Sequence, residues 1–282
     1  MTFRENWTSA RDGLRLYWRE YGDTASLRTP LLCLPGLTRN SKDFHDLAQR
    51  YCGQRRVICL DYRGRGRSEY DSDWRNYDPQ VYLEDIRHIL AATGAWKVVT
   101  VGTSMGGILS MALTVMMPTL LAGAVLNDVG PELAGPGLDR ILDTIGHDHP
   151  QPDWETAVRY LRRTFPILTL KTDERWMTMA RNTYRQGADG LLHFDWDVTL
   201  AHNLTRGRLR IPDLWPLFRA LRGIPVLALR GSRSDVLSVE TFDRMAEEKP
   251  DLLRVTVPGC GHCPVLDEPE VLEMLDVFLA RL

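Results

Sequence analysis

Val98-Val99-Thr100-Val101-Gly102-Thr103-Ser104-Met105-Gly106-Gly107, followed by Ile108 to Met117, reads as a buried strand that turns sharply into a helix. At the turn sits a G-x-S-x-G pentapeptide. A serine hydroxyl is a weak nucleophile unless it is held rigidly beside a base and near donors for an oxyanion, and a tight strand-to-helix turn supplies that setting. Gly102 and Gly106 lack the Cβ atoms that would collide where the turn brings backbone segments together. The amide of Met105, at the start of the helix, points toward developing negative charge. The pentapeptide alone recurs by chance; the strand before it and the helix after it give it meaning.

Outward from this turn, short apolar runs alternate with longer amphipathic ones. The runs are Leu31 to Leu34, Val57 to Leu60, Val98 to Val101 and Gly123 to Leu126, and between them lie candidate helices at Lys42 to Cys52, Pro79 to Thr93 and Met105 to Met117. Strands apolar on both faces and separated by helix-length segments predict a parallel sheet covered on both sides. Right-handed crossovers then make it doubly wound. Ahead of this pattern, Asp12-Gly13 between two strand-like runs predicts an antiparallel hairpin. After Asn127-Asp128-Val129-Gly130-Pro131 the strand rhythm stops, and it resumes at Ile224 to Leu229, Leu253 to Val257 and a last helix from Pro269 to Leu282. The interval is rich in Arg and Trp and lacks strand alternation. A structureless loop of that length is implausible, so 131–215 is expected to be a helical subdomain inserted into a core formed by 1–130 and 216–282.

The order of motifs suggests partners for Ser104. Val257-Pro258-Gly259-Cys260-Gly261-His262-Cys263-Pro264 places His262 on a compact, glycine-rich loop after a late strand, as a general base requires. Arg230-Gly231-Ser232-Arg233-Ser234-Asp235 follows the strand that resumes at 224, and Asp235 is its first carboxylate, the preferred acid to orient the histidine. Asp128, at the end of the strand after the nucleophile helix, is the competing acid. Leu34-Pro35-Gly36-Leu37 ends the first long apolar strand, and Gly36 lets the amide of Leu37 join that of Met105 as an oxyanion donor. The other histidines suit structural roles better: His45 and His88 on helices, and His147, His149, His193 and His202 in the insertion.

The order Ser104, Asp235, His262 resembles the nucleophile, acid, base order of the α/β-hydrolase superfamily, and the similarity runs over nearly the whole chain. Asp61-Tyr62-Arg63-Gly64-Arg65-Gly66-Arg67-Ser68 resembles the D-x-R-G-x-G-x-S turn of many capped members, where its role is structural. The resemblance implies an eight-stranded, mostly parallel sheet with a helical cap after the sixth strand. It also implies a serine hydrolase acting on a small, largely apolar carboxylic ester or lactone, akin to capped carboxylesterases and enol-lactonases. Hydrolases of carbon–carbon bonds in meta-cleavage products share the Ser-Met-Gly-Gly elbow but commonly carry an aromatic residue after the histidine, where Cys263 stands here. Dehalogenases and epoxide hydrolases resemble the scaffold but use an aspartate at the elbow. From a different class, small-molecule receptors share the fold, and acyl transfer or cofactor-free perhydrolysis has no separate signal.

Composition sets the remaining expectations. Lys and Arg number 35 against 37 Asp and Glu, a net charge of -2, which offers no basic surface for nucleic acid and suits a small-molecule substrate. No apolar run approaches a membrane span, and Met1 to Ala10 lacks a signal-peptide pattern, so a cytoplasmic monomer or homodimer is expected. The five cysteines are read as free thiols. Cys260-Gly261-His262-Cys263 is an incomplete zinc set in a loop, so neither a metal nor a cofactor is expected, although the Cys263 thiol stands close enough to the histidine to meet substrate.

Overall fold

The computed structural model describes residues 3–133, 141, 144–166, 168, 170–205 and 212–282. Parts of the interval 131–215, at 134–140, 142–143, 167, 169 and 206–211, lie outside the described residues. Among the described residues no helix is long and apolar enough to cross a membrane.

The chain opens with β1 (Arg4–Ser9) and β2 (Arg15–Tyr21), paired antiparallel across the expected turn, where Gly13 adopts a φ of 91°. Then follow β3 (Leu31–Leu34), α1 (His45–Tyr51), β4 (Val57–Asp61), α2 (Pro79–Thr93), β5 (Val98–Thr103), α3 (Met105–Met116) and β6 (Leu121–Asn127). After the insertion come α7 (Trp215–Ala220), β9 (Val226–Gly231), α8 (Val239–Glu248), β10 (Leu253–Val257) and α9 (Pro269–Leu279). The main sheet has eight strands in the order β1-β2-β4-β3-β5-β6-β9-β10. β2 alone runs against its neighbours; from β4 to β10 every pairing is parallel.

The period of two in a strand explains why these runs are apolar throughout. Leu32, Leu34, Ile58, Leu60, Leu126 and Ala228 pack into one buried cluster with α2, α3 and α8. On the opposite face Cys33, Cys59, Val101, Val125, Leu227 and Leu229 enter a second cluster, with α1 and α9. The sheet is therefore covered on both faces. Ser104, Asp128 and the loop after β10 all stand at the C-terminal end of the parallel strands, where crevices open in such sheets.

Among the described residues, the interval between β6 and β9 contains α4 (Trp154–Thr164), α5 (Asp173–Thr183) and α6 (Ala201–Thr205). It departs from expectation in one respect. Tyr184–Gln186 (β7) and Leu192–Phe194 (β8) form an antiparallel ribbon. Its three-residue strands are too short for alternation to register in sequence, and aromatic packing holds it: Phe194 stacks on Trp196 with ring centroids 3.9 Å apart and tilts against Tyr184 at 5.0 Å. The insertion is tied to the core by backbone hydrogen bonds from Gly66 to the Asp195 carbonyl (3.0 Å) and from Asp197 to the Gly64 carbonyl (2.8 Å).

The closest backbone approach is at the elbow. A Cβ on Gly106 would collide with the Leu34 carbonyl at the end of β3, which leaves only glycine able to bring α3 onto the sheet there. Gly106→Ala is expected to destabilise the fold by about 3 kcal/mol or more, because the obstacle is backbone and cannot swing aside. Chemical denaturation followed by circular dichroism measures this, and an unchanged midpoint would contradict the packing described.

Candidate functional site

Ser104 connects β5 to α3 with φ 51° and ψ -118°, a conformation rare for a non-glycine residue. Its backbone is fixed from both sides. The Ser104 amide donates to the Asn127 carbonyl (3.0 Å), and its carbonyl accepts from the amides of Gly107 (2.8 Å) and Ile108 (3.3 Å). The hydroxyl is thereby presented above the sheet, where Oγ lies 3.0 Å from His262 Nε2.

His262 arrives on the loop after β10, as its sequence context predicts. That loop rests on the end of β9: a Cβ on Gly231 would lie 2.5 Å from the Gly261 carbonyl, and the Arg233 amide donates to the Cys260 carbonyl (2.8 Å). A second brace comes from β6, whose Asn127 Nδ2 donates to the Pro264 carbonyl (2.9 Å) and to Thr103 Oγ1 (3.1 Å). One side chain thus couples the histidine loop to the strand that carries the serine.

The acid facing the histidine is Asp128, not Asp235. Asp128 Oδ2 lies 2.6 Å from His262 Nδ1, and the Asp128 side chain is fully buried. With Nδ1 taken by Asp128 and Nε2 by Ser104, both ring nitrogens are occupied. Asp235 sits half-buried four residues beyond the end of β9 and does not reach the imidazole. The reason is local. Asp128 takes a left-handed φ of 55° directly after β6, a conformation aspartate tolerates better than most residues, and this turns its carboxylate across the strand end toward β9. There it accepts from the Gly231 amide (2.7 Å) and Ser234 Oγ (2.7 Å) as well as from the histidine. The β9 loop supplies donors to the acid instead of the acid. Ser234 Oγ also accepts from the amides of Val236 (3.3 Å) and Leu237 (3.1 Å), closing the turn that carries Asp235.

Leu37 lies where expected, in the loop after β3 and on the wall of the cavity over Ser104. Met105 begins α3 directly behind Ser104. The Leu37 loop is steadied by the turn after β4. Arg65, fully buried, donates from Nε to the Leu37 carbonyl (2.9 Å) and from Nη1 to the Arg63 carbonyl (2.7 Å) and Tyr82 Oη (2.8 Å). Arg63 is itself clamped by Asp85 (2.7 Å), Asp71 (2.7 Å) and Asp12 (2.8 Å). Asp61, expected to be structural, accepts from the amides of Ser41 (2.7 Å) and Arg67 (2.8 Å) and closes the same turn. Burial pushes its carboxyl above its ordinary value, opposed by those two amides.

A cavity of about 460 Å³ opens over Ser104 and His262. Its apolar wall includes Leu37, Phe165, Leu168, Met179, Trp196 and Val265, drawn from both the core and the insertion. Cys263 also lines it, and desolvation together with the nearby Asp128 charge pushes its thiol well above the ordinary cysteine value. The five thiols form no disulfide. Of the other histidines, only His45 borders the cleft; it is hydrogen-bonded through Nδ1 to Tyr21 Oη (3.0 Å).

Comparison with known proteins gives the chain its family. Residues 31–274 match the Alpha/beta hydrolase family. The chain is 34% identical over 272 residues to the 3-hydroxybutyrate-oligomer hydrolase of Cupriavidus necator, spanning 94% of this chain and 92% of the relative. It is 27% identical over 242 residues to the 2-(acetamidomethylene)succinate hydrolase of Mesorhizobium japonicum, spanning 86% and 84%. Among solved structures, an alpha/beta hydrolase from Novosphingobium aromaticivorans superposes with a TM-score of 0.93 at 41% identity, covering 99% of each chain.

The two carboxylates separate experimentally. Asp128→Asn is expected to slow phosphonylation of Ser104 by a fluorophosphonate probe by a factor on the order of 10³ to 10⁴, since an amide cannot hold the same imidazole tautomer. Asp235→Asn should stay within about threefold of the unmodified protein, because both ring nitrogens of His262 are met by Asp128 and Ser104. Labelling rates read by intact-mass spectrometry decide between them; the reverse ranking would return the orienting role to Asp235.

Proposed function

Because the chain belongs to the alpha/beta hydrolase family and is a hydrolase, we propose that it cleaves carboxylic esters through Ser104, His262 and Asp128 by way of an acyl-enzyme. The observation that carries this reading is the unbroken hydrogen-bond chain from Ser104 Oγ through His262 to buried Asp128, facing a largely apolar cavity. Ser104 Oγ attacks the ester carbonyl while His262 Nε2 takes its proton. Negative charge on the carbonyl oxygen is met in this reading by the amides of Leu37 and Met105, a role supported by the place of Leu37 on the cavity wall and of Met105 at the start of α3. The imidazolium is steadied by the Asp128 carboxylate beside Nδ1. His262 then protonates the departing alcohol, and the acyl group stays on Ser104. In the second half, His262 takes a proton from water, whose oxygen attacks the acyl carbonyl; Ser104 leaves with the proton and the acid is released.

The insertion acts in this reading as a cap. Phe165, Leu168, Met179 and Trp196 lie over the serine, where they exclude water and select apolar substrate surface. The relation to an oligomer hydrolase of 3-hydroxybutyrate makes short linear hydroxyacid esters the first substrates to try.

A panel of p-nitrophenyl esters and short hydroxyacid oligomers, run with a fluorophosphonate probe on the protein and on Ser104→Ala, tests the proposal. Turnover and labelling are expected for the unmodified protein, and both should fall to background in Ser104→Ala. Labelling without ester turnover would instead favour cleavage of carbon–carbon bonds, and absence of both in folded protein would contradict a serine hydrolase.

A further inference from the structure

Five cationic side chains border the cleft that leads away from Ser104: Arg19, Arg39, Lys42, Arg175 and Arg181, against the carboxylates of Asp43 and Asp46. The chain as a whole carries a net charge of -2, so the cleft concentrates charge of the opposite sign to the molecule. Three of the five are committed. Arg39 pairs with Asp43 (2.6 Å) and Lys42 with Asp195 (2.8 Å), while Arg175 joins the insertion to the core through Asp46 (2.5 Å) and Asp267.

Arg19 and Arg181 differ. Among the described residues neither has a carboxylate within ion-pair distance. The Arg19 guanidinium lies over the Phe3 ring, 4.3 Å from its centroid, and its buried Nε has no hydrogen-bond acceptor. The Arg181 guanidinium lies over the Trp154 ring at 5.3 Å. Ring contacts thus stand where the other three cations have carboxylates; the Tyr17 and Tyr21 hydroxyls flank the Arg19 guanidinium, and a carboxylate is the charged acceptor a guanidinium fits. The sheet register sets the distance. Arg19 faces Cys59, Cys59 faces Cys33, and Cys33 faces Val101, three residues before Ser104. Three strand spacings and three residues of rise put Arg19 roughly 17 Å from Ser104 between Cα atoms, beyond the immediate neighbourhood of a scissile ester.

We propose that the cleft takes elongated esters ending in a free carboxylate, which is received by Arg19 and Arg181 while an internal ester bond lies at Ser104. This rests on the ester-hydrolase reading above and adds the charge and length of the substrate. The linear trimer of 3-hydroxybutyrate has both features and serves as the probe.

Calorimetric titration of Ser104→Ala with the trimer as free acid and as its primary amide reads binding without turnover. The acid is expected to bind about tenfold more tightly or better, the worth of a charge-assisted contact. The ratio of affinities should fall to about twofold when Arg19→Gln and Arg181→Gln are added, and should be kept only in part with Arg19→Lys and Arg181→Lys, which retain the charge but not the guanidinium fork, with melting temperatures confirming that each variant is folded. Equal affinities for acid and amide in Ser104→Ala would overturn the proposal without recourse to the arginine variants, as would a preference that survives the Gln pair. Turnover of the same two compounds by the protein with Ser104 in place is read separately. Preferential binding of the acid with no cleavage would contradict the ester-hydrolase reading and leave the anion site standing, and cleavage without preference would contradict the anion site alone.

Discussion

The buried contact between Asp128 and His262 is the constraint around which the site is arranged. A carboxylate with no solvent exposure is costly unless its lone pairs are met, and here three donors from three parts of the chain converge on it: the imidazole after β10, the Gly231 amide at the end of β9 and the Ser234 hydroxyl beyond. The same set of bonds therefore joins β6, β9 and the histidine loop at one end of the sheet. Neighbouring Asn127 extends the junction to β5 through Thr103 and to the histidine loop through Pro264. Position of the base and integrity of the strand ends are one problem with one solution. Loss of the carboxylate would leave donors buried without an acceptor as well as an imidazole without an anchor.

The Leu37 side of the cavity is held by a separate network. The turn from Asp61 to Ser68 holds Arg65 beneath Leu37, and the clamp of three carboxylates around Arg63 keeps that turn rigid. The insertion meets this turn through Gly64 and Gly66, and meets Lys42 through Asp195, so the roof of the cavity is fastened to the core beside the Leu37 loop. Apolar side chains close to the serine and cationic ones farther out give the cleft two chemical zones, which suits a substrate with an apolar ester backbone and a charged end.

Much of this was legible in the chain. Runs such as Leu31 to Leu34 and Val57 to Leu60 are apolar at every position because both faces of the parallel sheet are covered, and glycines around Ser104 mark the only backbone that fits the elbow. The histidine was readable from its glycine-rich loop. The acid was misplaced because chain order is a weaker guide than conformation. Asp128 and Asp235 each follow a strand, and a left-handed turn at Asp128, invisible to periodicity, decides which carboxylate crosses to the imidazole. Ser234, adjacent to the favoured candidate, belongs to the network as a donor to the other. The ribbon at Tyr184 to Phe194 was hidden for a different reason: tertiary aromatic packing sustains strands too short to carry an alternating pattern.

Which carboxylate holds the imidazole is tested most directly by proton NMR of the phosphonylated protein. A strongly downfield imidazole N–H resonance, assigned through selective ¹⁵N-histidine labelling to His262 Nδ1, is predicted in the unmodified protein and in Asp235→Asn, and its loss is predicted in Asp128→Asn. A resonance that survives Asp128→Asn and disappears in Asp235→Asn would contradict the arrangement described for this site.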